Sequence, residues 1–169
     1  MGLFRPPNID RLVAQGNADA LVRATRSKDP EVRAQARAAL MEMQERLIKS
    51  LSTTNYRRLL STRQALVAIG SPAVPRLVEI LGEGHVHWRQ DAAFMLGEIG
   101  DRAAAPALCE ALRHPDPMLR AVAAQALGKI ADPSSAHALE LAQRDAESGV
   151  AAAAERALRE LRRSAPESQ

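Results

Sequence analysis

The sequence predicts an all-α chain, an α-solenoid of about five two-helix repeats. Three observations predict it. The stretch FMLGEIGDRAAAP at 94–106 is echoed thirty-one residues later as QALGKIADPSSAH at 125–137. Five leucine pairs share one internal spacing of nineteen residues: Leu21/Leu40, Leu47/Leu66, Leu77/Leu96, Leu108/Leu127 and Leu139/Leu158. No stretch alternates with the period of two that a half-buried strand requires.

Taken in order, residues 1–16 read as an N-terminal segment, with 8–16 a short capping helix. The repeats follow over 17–163, in units of about 17–43, 44–69, 70–99, 100–130 and 131–163. The last residues, SAPESQ at 164–169, read as a disordered tail. Three residues after each second leucine stands another large apolar residue: Met43, Ile69, Ile99, Ile130 and Leu161. In the third unit Trp88, Ala92, Leu96 and Ile99 fall on one face of a helix, and Leu119, Ala123, Leu127 and Ile130 repeat this in the fourth. The first helices show Leu77, Ile80, Leu81 and Leu108, Ala111, Leu112. Each unit is therefore two antiparallel helices. Trp88 takes the site held elsewhere by Val32, Leu119 and Val150, and reads as a core filler.

The punctuation agrees with this division. Gly100 and Ala131 close second helices. Ser71 reads as an N-cap, with Pro72 in the first helical position. Asp29, Asn55, His85, Asp116 and Glu147 share one site before the second helices, where a polar side chain satisfies orphan N–H groups. The interval Leu40–Leu47 is seven residues, against eleven or twelve elsewhere. It leaves open whether residues 31–51 form one continuous helix. The small pairs Ala93/Gly97 and Ala124/Gly128 let a neighbouring helix approach closely. Glu155 and Arg159 replace them in the fifth unit, which reads as a polar C-terminal cap.

Composition sets further bounds. The four aromatic residues are Phe4, Tyr56, Trp88 and Phe94, so the core is aliphatic. Cys109 is the single cysteine, which excludes an intrachain disulfide and fits a reducing, cytoplasmic location. No apolar run approaches the roughly 20 residues of a membrane span. MGLFRPPN lacks an apolar signal core, and Pro6 stands where N-myristoylation requires Ser or Thr. The net charge of +3 is built from interspersed signs, the pattern of a solvated surface and not of a nucleic-acid stripe.

Three segments carry a resemblance: D-P-E-V-R-x-x-A at 29–36, A-x-x-L-G-x-I-G-D at 93–101 and D-P-M-L-R-x-x-A at 116–123. They resemble HEAT-like repeats of the phycobilisome-lyase type, over about residues 8–162. The resemblance implies a right-handed α-solenoid of about five two-helix HEAT-like repeats, with second helices lining a concave side. The second unit departs most, with Leu59 where the others carry Arg33, Arg89 and Arg120. Some HEAT-repeat enzymes hydroxylate a modified lysine with iron held by His-Glu pairs. Here the four histidines are followed by Val86, Trp88, Pro115 and Ala138.

Little else points to catalysis. His85 and His87 lie near Glu83, but i and i+2 face different sides of a helix and no third ligand follows at zinc spacing. They read as capping and surface residues. His114 reads as a turn residue, His137 as a helix-start residue, and Cys109 as a buried structural thiol. No phosphate-binding glycine loop, paired carboxylates or nucleophile elbow is present. The expectation is therefore no catalytic residue, no metal and no cofactor. Arg33, Arg89 and Arg120 admit a phosphate-binding reading. The structural reading pairs them with the capping acids, since Asp29 and Asp116 stand four residues before Arg33 and Arg120.

One stripe on the second helices lies off the core face. It holds His87, Asp91, Phe94 and Glu98 in unit three and Met118, Val122, Gln125 and Lys129 in unit four. Its middle is apolar and its ends are polar, the pattern of an interaction site. The predicted function is a non-enzymatic interaction or scaffold module that holds a protein or peptide segment on the concave face. Phe94, Met118 and Val122 supply apolar contact. Arg57, His87, Asp91, Gln125 and Lys129 orient the partner, with Tyr56 and Gln90 at the flanks. The alternative is a subunit of a bilin lyase, as the resemblance implies, although a repeat scaffold does not itself carry chemistry. A DNA-binding HEAT-like protein is a lesser alternative, disfavoured because aromatic stacking platforms are missing. Pairing of two copies through the same patch is left open.

Overall fold

The computed structural model describes residues 7–49, 56–83 and 85–164, of which 56–58 and 86 are described in backbone only. Among the described residues there are eleven α-helices, three short 3-10 turns and no strand. The signal and lipidation readings of the first eight residues fall outside them, apart from Pro7 and Asn8; of the tail read at 164–169, Ser164 is instead the last residue of a helix, and 165–169 fall outside the described residues. The chain divides into two compact units, Met1–Ala73 and Val74–Gln169.

In the first unit, α1 (Ile9–Ala14) and α2 (Ala18–Ala24) are each started by an asparagine. Asn8 Oδ1 accepts from Arg11 N–H at 2.9 Å, and Asn17 Oδ1 accepts from Ala20 N–H at 3.1 Å. Then come α3 (Pro30–Glu42), α4 (Gln44–Lys49) and α5 (Tyr56–Ile69). Residues 31–49 are not one continuous helix. Met43 ends α3, with its N–H on Ala39 and Met41 carbonyls, and its own carbonyl receives Leu47 N–H. The side chain of Met43 is buried with those of Leu40 and Leu47, so the break keeps three apolar groups on the core side. Residues 50 and 51 lie outside the described residues.

The second unit is three helix pairs. They are α6 (Val74–Glu83) with α7 (Val86–Ile99), α8 (Ala105–Ala111) with α9 (Pro117–Ile130), and α10 (Ala136–Ala142) with α11 (Ser148–Ser164). Corresponding helices start thirty-one residues apart: Val74, Ala105, Ala136 and Val86, Pro117, Ser148. All ten leucines of the nineteen-residue pairs are buried across the two units. Each contributes about 1.5–3 kcal/mol on leaving water, so the repeat is a record of where the core lies.

Local signals end the helices as the sequence predicts in two places and differently in a third. Gly100 and Ala131 both adopt left-handed conformations, φ 74° and 51°, and return their N–H groups to Leu96 and Leu127 carbonyls. Ser71, however, is not the N-cap of a helix started by Pro72. Ser71–Ala73 is a 3-10 turn, and α6 begins at Val74. The equivalent turns Arg102–Ala104 and Pro133–Ser135 are capped by Asp101 and Asp132, and their last residues, Ala104 and Ser135, are wholly buried.

The second helices of this unit meet backbone to backbone. A Cβ on Gly97 would lie 2.7 Å from Ala126 Cα and 2.8 Å from its Cβ. One on Gly128 would lie 2.8 Å from Ala157 Cα and 3.0 Å from its Cβ. In the last helix Glu155 and Arg159 are exposed and paired with each other. Gly97→Ala is expected to destabilise the protein by about 1–3 kcal/mol through overpacking, despite the gain of about 1 kcal/mol in helix propensity. Ala131→Gly should act oppositely, stabilising by about 1 kcal/mol because a left-handed residue no longer carries a Cβ. Urea unfolding of the two variants beside the parent checks both signs.

Candidate protein-interaction site

The face in question is laid out by α7, α9 and α11. The two glycine contacts align α7 with α9 and α9 with α11 at the same offset of twenty-nine residues. Near the start of α7, Gln90 Nε2 donates to Asp116 Oδ2 at 2.7 Å and ties the register at a second level. That donation, with the Met118 N–H, holds the Asp116 carboxyl below the usual carboxylate range.

This alignment puts Phe94 level with Ala123, the residue after Val122. Phe94 is 43% exposed and Met118 59%, while Val122 is half-buried. His87, Gln125 and Lys129 are exposed, and Gln90 and Asp91 half-buried. The Lys129 ammonium sits 5.3 Å from the centre of the Phe94 ring and also pairs with Glu98. Beside the stripe, α9 and α11 enclose an open cleft of about 550 Å³, bordered by Gln125, Lys129, Arg156 and Glu160. The side chains of Tyr56 and Arg57 belong to the other unit and lie outside the described residues.

The recurring arginines have a different assignment from the capping acids. Arg33 Nη1 donates to the carbonyls of Ser27 and Lys28, both at 2.9 Å. Arg120 Nη1 does the same to His114 and Pro115, at 2.9 and 3.1 Å. Arg120 then reaches the next helix pair and grips Asp145 with two bonds, Nε to Oδ2 at 2.7 Å and Nη2 to Oδ1 at 2.8 Å. Its partner is thus the turn acid of the following repeat, and Asp116 is left to cap its own helix through Met118 N–H. At the preceding junction Arg89 Nη1 lies 3.0 Å from His114 Nε2. His114 and Asp145 also do the same local job: each accepts the N–H two residues on, Asp116 or Glu147, at 3.0 and 2.9 Å. These bonds support the structural reading of the arginine position over the phosphate-binding one.

Other residues also differ from their sequence reading. Trp88 is 38% exposed, where Val32, Leu119 and Val150 are buried; an indole in the first turn of α7 is too large for the slot they fill. His85 occupies the N-cap position of α7 but makes no side-chain capping bond. Asp29 and Asp116 do cap, while Asn55 lies outside the described residues. Cys109 is half-exposed and borders a cleft of about 230 Å³ between α8 and α10. Burial, with Asp132 and Glu110 behind it, pushes its thiol pKa up, which lowers its thiolate fraction at neutral pH. Among the described residues no three His, Cys, Asp or Glu side chains gather as a metal site. No single helix among them is long and apolar enough to cross a membrane.

The family profile for HEAT repeats matches residues 74–159, just over half of the chain. The chain belongs to the HEAT repeats. No curated protein matches it in sequence. Among solved structures, it is similar to human deoxyhypusine hydroxylase at 25% identity and TM-score 0.60, over 92% of this chain and 66% of that one. It thus spans just under two thirds of the hydroxylase. An engineered protein matches at 23% identity and TM-score 0.55, over 92% of this chain and 83% of that one. The complex of CpcE and CpcF of phycocyanin lyase from Nostoc sp. PCC7120 matches at 21% identity and TM-score 0.57, over 96% and 68%. The last two likenesses show the α-solenoid fold alone.

Within this HEAT-repeat chain, Asp145 is the residue that sequence reasoning missed, while Arg156 falls on the same off-core stripe in the fifth unit, with Gly149, Ala153 and Glu160. Asp145 was detectable only as the residue twenty-five positions after Arg120, the offset that also separates Arg89 from His114. The Arg120 guanidinium holds the Asp145 carboxyl below its usual range. A carboxylate with a lowered folded-state pKa contributes stability that is fully present above its unfolded value of about 3.9 and is lost as pH falls through the folded value. Asp145→Asn should therefore cost about 1–2 kcal/mol at pH 7 and progressively less below about pH 4. Thermal unfolding of parent and variant from pH 7 to pH 3 checks this: the gap between them narrows with acid.

Proposed function

We propose that the protein is a non-enzymatic interaction module that binds a protein segment on the second-helix face of residues 74–169. The observation that carries this reading is the exposure of Phe94 and Met118 on neighbouring second helices, on one stripe; the other exposed large apolar side chains among the described residues are Met41, Leu60 and Leu141 on other helices and Trp88 in the first turn of α7. Large apolar groups left in water beside a polar rim are what an interface uses as anchors. The rim is Gln90, Asp91, Gln125 and Lys129, with His87 at the start of α7. The glycine contacts beneath make the surface preformed, so that little ordering cost attends binding. The likeness to one chain of a two-protein complex, CpcE with CpcF, is in keeping with a fold that docks onto other proteins.

Phe94→Glu with Met118→Glu tests the proposal, since both side chains are exposed and the helices should be retained. The partner is to be captured from the native lysate, identified, purified and titrated against parent and double variant, with circular dichroism on both. Binding weakened at least 100-fold at equal helicity is expected, equivalent to about 2.7 kcal/mol. Equal binding by the double variant would remove this face from the function.

A further inference from the structure

The chemistry of the partner follows from the charges around the apolar stripe. Three charged groups line the cleft, Lys129, Arg156 and Glu160, and two more pair with them from beside it, Glu98 and Arg163. Lys129 is paired with Glu98, and Arg163 with Glu160 at 3.3 Å. Arg156 borders the same cleft, is exposed, and has no carboxylate partner among the described residues. The cleft end of the face therefore carries one cation in excess, with Asp91 of the rim on α7 at the other end, and it lies next to Gln125, whose exposed amide can both donate and accept.

Distances narrow this further. Arg156 precedes Ala157, which meets Gly128, so Arg156 is level with Leu127, about 7.5 Å further along the helix axis than Val122 and one helix across. Packed helices lie about 8–10 Å apart, and an extended chain advances about 3.3 Å per residue. A side chain resting on Phe94 and Val122 and a carboxylate meeting Arg156 would then be about three residues apart in one extended segment.

We infer that the partner segment is acidic and apolar: an extended peptide with a large apolar side chain seated on Phe94, Met118 and Val122, and an aspartate or glutamate about three residues away bound by Arg156. The inference rests on the interaction-module reading and specifies its ligand. The guanidinium provides a planar fork that suits a carboxylate and binds it with two parallel bonds. A basic segment would set its charge against Arg156 with both neighbouring carboxylates already neutralised.

The test uses fluorescein-labelled twelve-residue peptides with Leu-x-x-Glu or Leu-x-x-Lys at the centre, titrated by anisotropy against the full chain at fixed ionic strength. The parent should bind the glutamate peptide at least tenfold more tightly than the lysine peptide. Arg156→Glu should reverse that order, and Phe94→Glu with Met118→Glu should weaken both peptides. A parent that prefers the lysine peptide, or binds neither at millimolar concentration, overturns the inference. So does an Arg156→Glu variant that keeps the parent's preference. The two readings fail separately. If Phe94→Glu with Met118→Glu leaves the captured partner bound, the face itself is wrong. If that variant loses the partner while Arg156→Glu leaves both partner and peptide preference unchanged, only the acidic recognition falls.

Discussion

Second helices that touch at Gly97–Ala126 and Gly128–Ala157 leave no room for a methyl group between them. Much of the unit from Val74 onward depends on that approach. Helices so close bury Ala93, Ala124, Ala126 and Ala157 completely or nearly so, and they keep a single offset from one pair to the next. Close packing at native density resists sliding, because any shift drives a Cβ into backbone. An aliphatic core with almost no aromatic bulk is sufficient for this, since small residues at short range replace large residues at long range.

The register then determines which polar groups meet. Arg120 reaches Asp145 and Gln90 reaches Asp116 only because the next turn is held at that level. The same arginine position binds two carbonyls of its own turn in Arg33 and Arg120, so it organises the loop before it links repeats. Two ring nitrogens and two carboxylate oxygens do equivalent work at His114 and Asp145. The pairing at Asp145 is the charged version, where at the other junction Arg89 meets a ring nitrogen of His114.

The face that results is apolar in the middle because nothing within the unit needs those positions. Core contacts come from one side of each second helix and glycine contacts from its flank, which leaves the remaining stripe to solvent. Phe94 keeps partial cover from Lys129, itself tied to Glu98, so the ring is held in place and still accessible.

By itself the sequence determined the helix pairs, their period and the buried positions. The reason is that burial repeats: leucines nineteen apart and helix starts thirty-one apart recur wherever the same core is rebuilt. Glycine and alanine at the helix ends and on the flanks were legible for the same cause, as each obeys a local steric rule. What only the tertiary structure decided were the interactions between repeats. Asp145 as the partner of Arg120, the break at Met43, the 3-10 turn at Ser71 and the exposure of Trp88 all depend on which group lies across the gap. Arg156 became notable only when its neighbours were seen to be paired elsewhere. Distances of this kind are set by how helices stack, and a linear pattern does not encode them.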